Sequence, residues 1–198
     1  MLRALLLLAA LFALPCDATE YYSSIYPLRA GLIPPFDVSG DVKVINGEPS
    51  KESVVVYKYS FAKLTSNYHE ITQTMVDQVR RELENNGKKS AAGGSAKTIE
   101  LKVTSLLSKY SFFKWNSRLT FTATLGDGTV ITKDVTHGSG SLYQDLNGCI
   151  AESAMMLLND ESVHAYLAKT DAGPVVPAAP TSTTAPAAPA IPEAPPVQ

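Results

Sequence analysis

Two cysteines, three histidines and one tryptophan in 198 residues leave this chain poor in the residue types that build metal centres and covalent catalysts. His69, His137 and His164 are far apart, and no Cys-x2-Cys or His-x3-His spacing occurs, so no structural zinc and no other cofactor is expected. The cysteines are Cys16 and Cys149. Cleavage after Ala18 would leave only Cys149, which excludes an internal disulfide even in an oxidising compartment. Charge of either sign is scarce as well: 17 basic against 19 acidic residues give a net charge of −2. That balance leaves no basic field to attract nucleic acid or an anionic lipid surface. The longest apolar run, Ala4 to Leu14, is well short of the ~20 residues that span a bilayer.

That run is nevertheless informative. Met1 and Arg3 precede it and Pro15-Cys16-Asp17-Ala18 follows, a charged start, a hydrophobic stretch and a small-residue edge. This is the pattern of a Sec-type signal peptide over residues 1–18, and it implies export to the periplasm or the periplasmic face of the outer membrane. Cys16 has a second reading as a lipidation site. Its approach, Ala13-Leu14-Pro15, places a proline where a small residue is expected before an acylated cysteine, and proline restricts its neighbour. Soluble secretion after Ala18 is the favoured expectation. A membrane contact is expected only if Cys16 is lipidated.

Residues 19–38 carry Tyr21, Tyr22, Tyr26, Pro27, Pro34, Pro35 and Phe36 without a period, and read as an extended strap over the domain that follows. That domain, residues 39–170, is long enough to hold its own core. Strands are expected at Asp41–Asn46 and Ser53–Tyr59. A helix begins at Asn67, with Glu70 three residues on as in a capping box. Its apolar stripe is Tyr68, Ile71, Met75, Val79 and Leu83, and Gly87 is expected to end it in the left-handed conformation. After a Gly/Ser/Lys loop, Ile99-Leu101-Val103 and Leu119 to Leu125 alternate as strands. Gly126-Asp127-Gly128 turns the second into Thr129–Val135. A second helix, Leu142 to Leu158 with Ser141 as N-cap, precedes a short one recapped at Asn159-Asp160. Residues 171–198 hold eight of the 13 prolines and are expected to be a disordered Pro/Ala-rich tail. The order predicts an α+β two-layer sandwich, an antiparallel or mixed sheet of about five strands with two helices on one face.

Several of these strings resemble the YajG-like family of small bacterial envelope lipoproteins, which has no established activity. They are Val42 to Gly47, the first helix through Gly87, the Leu119–Val135 hairpin, and Asn159-Asp160-Glu161-Ser162-Val163-His164-Ala165-Tyr166-Leu167. The last matches an Asp-x-Ser-aliphatic-His-x-aromatic-aliphatic ending. The resemblance covers about residues 40–168 and implies an envelope address and an α+β fold. It does not extend to the lipobox, which leaves anchoring open.

Catalytic patterns are weak. Gly93-Gly94-Ser95-Ala96-Lys97-Thr98 lacks the order of a phosphate loop and precedes a strand. His137-Gly138-Ser139-Gly140-Ser141 sits at a strand-to-helix corner but is not Gly-x-Ser-x-Gly. Acidic neighbours such as Asp160-Glu161 and Glu82/Glu84 read as solvated. The one cluster that suggests function is Tyr110, Phe112, Phe113 and Trp115, interleaved with Lys109, Lys114 and Arg118. Simple alternation puts Tyr110 and Phe112 on one face and Phe113 and Trp115 on the other. Such a protrusion suits contact with a partner, a glycan or a membrane surface; the alternative is that the strap covers it. The expectation is therefore a non-enzymatic envelope protein that binds or scaffolds, with an unidentified envelope protein or cell-wall component as partner. An envelope hydrolase using the His137–Ser141 corner and an accessory lipoprotein of a membrane transporter are the alternatives.

Overall fold

The computed structural model describes residues 18–60, 62–91 and 94–170. The expected signal peptide up to residue 17, with Cys16, and the Pro-rich segment from residue 171 lie outside the described residues. In chain order the elements are β1 (Thr19–Glu20), β2 (Phe36–Val38), β3 (Val42–Asn46), β4 (Ser53–Tyr59), β5 (Ala62–Asn67) and α1 (Tyr68–Asn86). They continue with β6 (Gly87–Lys89), β7 (Lys97–Ser111), β8 (Lys114–Leu125), β9 (Val130–Ser139), α2 (Leu142–Leu158) and α3 (Glu161–Ala168).

The fold is α+β. A seven-stranded mixed sheet runs β1-β5-β4-β7-β8-β9, with β3 also on β7, and β2 and β6 form a separate parallel pair. β7 organises the sheet: β8 pairs along one side, while its other side takes β3 near the start and β4 at Tyr57–Ser108, both parallel. α1 packs on β7 and β3, α2 on β8 and β9, and the helices pack on each other. Ile99, Leu101, Val103, Leu119, Phe121, Ile71, Met75, Leu146, Ile150 and Leu157 fill the space between these layers. Each such side chain contributes on the order of 1.5–3 kcal/mol by leaving water.

Local chemistry explains the boundaries. Asn67 caps α1, its side chain accepting from the Glu70 N–H at 2.8 Å. Asp160 caps α3 in the same way through Ser162 at 2.9 Å. Gly128, at φ +88°, closes the β8–β9 turn. Two cap expectations are corrected. Gly87 ends α1 with φ −75° in extended backbone, because it opens β6 against β2; a Cβ there would stand 2.6 Å from the Leu83 carbonyl oxygen. Ser141 occupies the N-cap position of α2 but makes no side-chain capping bond.

The strand count rises from five because β1, β2 and β6 are only two or three residues long and the polar β5 carries no sustained apolar alternation. In β5, Lys63, Thr65, Ser66 and Asn67 surround Leu64, which alone is apolar apart from Ala62. β7 and β8 also run on to Ser111 and from Lys114. The segment between β1 and β2 crosses the helices. Tyr21 donates to Asn147 at 2.6 Å, the Tyr26 N–H to Gln78 at 3.0 Å, and Asn159 of the α2 C-terminus reaches the Leu32 carbonyl at 3.1 Å. This covering buries Gln78 and Glu82 on a face of α1 that would otherwise be wet. Glu82 accepts from Gln78 and Asn86, so the reading of Glu82 as solvated is corrected.

Candidate functional site

A break in alternation decides what the Tyr110–Trp115 segment does. Ile99, Leu101 and Val103 face the helices, but the β7–β8 register shifts between Val103 and Ser105, and beyond it Leu106 and Ser108 are the buried residues. Such a bulge moves every later side chain to the opposite face. Tyr110 therefore lies on the helix side and pairs directly with Trp115. Phe112 and Phe113 belong to neither face. They are the two central residues of the hairpin turn, with φ +51° and +62°, the backbone of a type I′ turn. This corrects the expected alternation. The strap does not cover the cluster, since it lies on α1 and α2, and Phe112 and Phe113 are each 93% exposed.

The four rings behind the tip touch in sequence. Trp115 sits 4.9 Å from Tyr57 in an edge-on contact and 4.6 Å from Tyr110, and Tyr110 is 6.5 Å from Tyr59. Tyr57 is buried, and desolvation, with Tyr59 and Tyr110 adding to it, pushes its phenol above the ordinary tyrosine range. Tyr59 and Tyr110 are 61% and 43% exposed. β4 and β7 run parallel, so the tip of the β4–β5 hairpin stands beside the β7–β8 tip. That first hairpin also closes through a left-handed residue, Ser60 at φ +50°. Together the two tips form an aromatic rim at one end of the sheet. Tyr57 and Tyr59 were not singled out by sequence; only the parallel β4–β7 pairing brings them there.

Beneath the rim lies a buried polar layer. Asp145, in the first turn of α2, accepts from the hydroxyls of Ser108, at 2.7 Å, and Ser117. A carboxylate at a helix N-terminus is favoured by the helix dipole. Next to it, His137 Nδ1 meets Glu152 at 2.9 Å, and the Nε2 edge of the ring lies against Gly148. Ser139 contacts Gln144 at 3.4 Å. The His137–Ser141 corner is thus tied to helix α2, with the imidazole engaged by a carboxylate on one side and helix backbone on the other. His164 stacks on Phe36 with centroids 5.0 Å apart and bonds the Leu158 carbonyl, and His69 Nδ1 bonds the Glu48 carbonyl at 2.6 Å. Lys97 is buried with its ammonium on the Ser39 carbonyl at the start of a strand, unlike a phosphate-loop lysine at a helix start. Asp160 pairs with Lys133 at 2.6 Å, which holds its carboxyl below the usual range. Among the described residues no group of three or more His, Cys, Asp or Glu could hold a metal ion, and no helix is long and apolar enough to cross a membrane.

The class defined by these features is a two-layer α+β domain with an exposed aromatic rim at one end of its sheet. The chain matches no protein-family model and no curated protein.

Proposed function

We propose that this chain is an exported, non-enzymatic envelope protein of the YajG-like kind that binds or scaffolds through its aromatic rim. On this reading the Pro-rich segment is a spacer and Cys16 is an optional lipid anchor. The observation that carries it is the tip itself. Two phenylalanines are almost fully in water on a turn whose geometry favours Asn-Gly. Folding alone gives no reason to keep large apolar side chains in left-handed backbone at a solvated position. Backbone cost retained at an exposed apolar site is a pointer to contact with something else.

The test is a photo-crosslinking residue at position 113 in intact cells, with position 122 on the sheet's open face as control. A discrete adduct from 113 and none from 122 is expected. Equal labelling at both positions, or none at either, overturns the contact reading. Trp115 is a poorer target, because its ring packs between Tyr57 and Tyr110 and its removal would disturb the fold.

A further inference from the structure

We infer that the rim docks on the surface of an anionic phospholipid membrane, with Phe112 and Phe113 entering the interfacial layer. This rests on the rim being the contact surface and adds what it contacts. The first support is local charge, which the near-zero total conceals. The sequence has no acidic residue from Ser53 to His69 or from Leu101 to Gly126. These two stretches form the hairpins that meet at the rim. Lys58 and Lys63 are cross-strand partners on one hairpin, and Lys109 and Lys114 flank the tip of the other. Among the described residues none of the four forms an ion pair. The net charge of the chain gave no basic field, but the fold concentrates cations at one end.

The second support is shape and composition. Two side chains on a two-residue turn offer about 300–500 Å² of apolar surface, below the ~800 Å² per partner of a standard protein interface. They suit a shallow insertion better. Lysine is depleted in protein–protein interface cores, whereas at a bilayer it extends its apolar stem and keeps its ammonium among the headgroups. Tyr59, Tyr110 and Trp115 behind the tip are residue types favoured at that depth. The third support is attachment. β1 runs parallel to β5 with Thr19 opposite Leu64, two residues beyond the hairpin end at Ala62. The chain therefore joins the sheet at the rim end, and a lipid anchor at Cys16, three residues before Thr19, would hold that end at the bilayer.

The single tryptophan, Trp115, is a built-in reporter. The full chain is mixed with vesicles of phosphatidylethanolamine and phosphatidylglycerol at 3:1, and with phosphatidylcholine vesicles. Emission is followed with and without lipids brominated near the headgroup end of the acyl chain. The expected result is a blue shift and bromine quenching on the anionic vesicles, weakened by 0.5 M salt. Lys109→Gln/Lys114→Gln should weaken binding about fivefold per lysine. Phe112→Asn/Phe113→Gly, whose turn suits the new residues, should remove the quenching while circular dichroism and melting show a folded protein. Co-sedimentation without any change in Trp115 emission would mean that another segment holds the chain on lipid, and overturns the inference. Quenching that survives Phe112→Asn/Phe113→Gly also overturns it. A protein adduct at position 113 with no quenching leaves the contact reading standing and removes the lipid; absence of both removes the two together.

Discussion

Replacing Phe112-Phe113 by Asn-Gly should make the protein more stable. The native turn holds two bulky residues at φ +51° and +62°, and left-handed backbone costs an L-residue about 1–2 kcal/mol. Glycine removes that cost at position 113 but gives the unfolded chain freedom worth about 0.4–1 kcal/mol. Asparagine tolerates the left-handed region and recovers part of the cost at 112. Both rings are 93% exposed, so little buried surface is lost on their removal. The net gain is about 1–2 kcal/mol, or a rise in Tm of about 2–8 °C for a domain of this size. Urea unfolding followed by Trp115 fluorescence and far-ultraviolet circular dichroism measures it. An unchanged or lower midpoint would refute the reasoning, because it would mean that the phenylalanines stabilise the fold and their exposure needs no external explanation. A gain in stability that accompanies a loss of rim function would place this turn among sites that keep strain for use.

Further outcomes follow from the layer beneath the rim and from the core. Gly148→Ala should destabilise by about 1–3 kcal/mol although alanine is the better helix former, because its Cβ would stand 2.4 Å from His137 Nε2. In a His137→Ala background the same change should stabilise by about 1 kcal/mol, and a four-corner urea cycle showing one sign in both backgrounds would contradict this. Cys149 is buried and its thiol is pushed up to about 12, chiefly by desolvation. Ellman's reagent at pH 8 should therefore leave it untouched in the folded protein and label it after unfolding. An unfolded thiol ionises near 9.0, so the stability tied to this group is complete below pH 9. It falls as pH rises towards 12, by up to about 1.4 kcal/mol per pH step. Tyr21, raised by burial, and Tyr57 add to the same alkaline loss. Cys149→Ala should flatten the first part of that decline in pH-dependent urea melts, and an unchanged slope would count against the assignment.

Local patterns alone located α1, α2 and the β8–β9 hairpin. The 3.6-residue stripe Ile71-Met75-Val79, the Asn67 cap and the Asp127-Gly128 turn are interactions between near neighbours in the chain, so periodicity and turn chemistry suffice to place them. The aromatic cluster was equally visible as a run of residue types. Its geometry was not. The register shift after Val103 has no residue signature, yet it sets which side of the sheet Tyr110 faces, and a turn built from Phe-Phe lacks the glycine that would announce it. Tyr57 and Tyr59 join the rim only because β4 lies parallel to β7, a pairing between residues about fifty positions apart. The burial of Gln78 and Glu82 likewise depends on a strap from a distant part of the chain. Composition fixed the sum of the charges, −2; their gathering at one end is a property of long-range pairing, which no window of sequence contains.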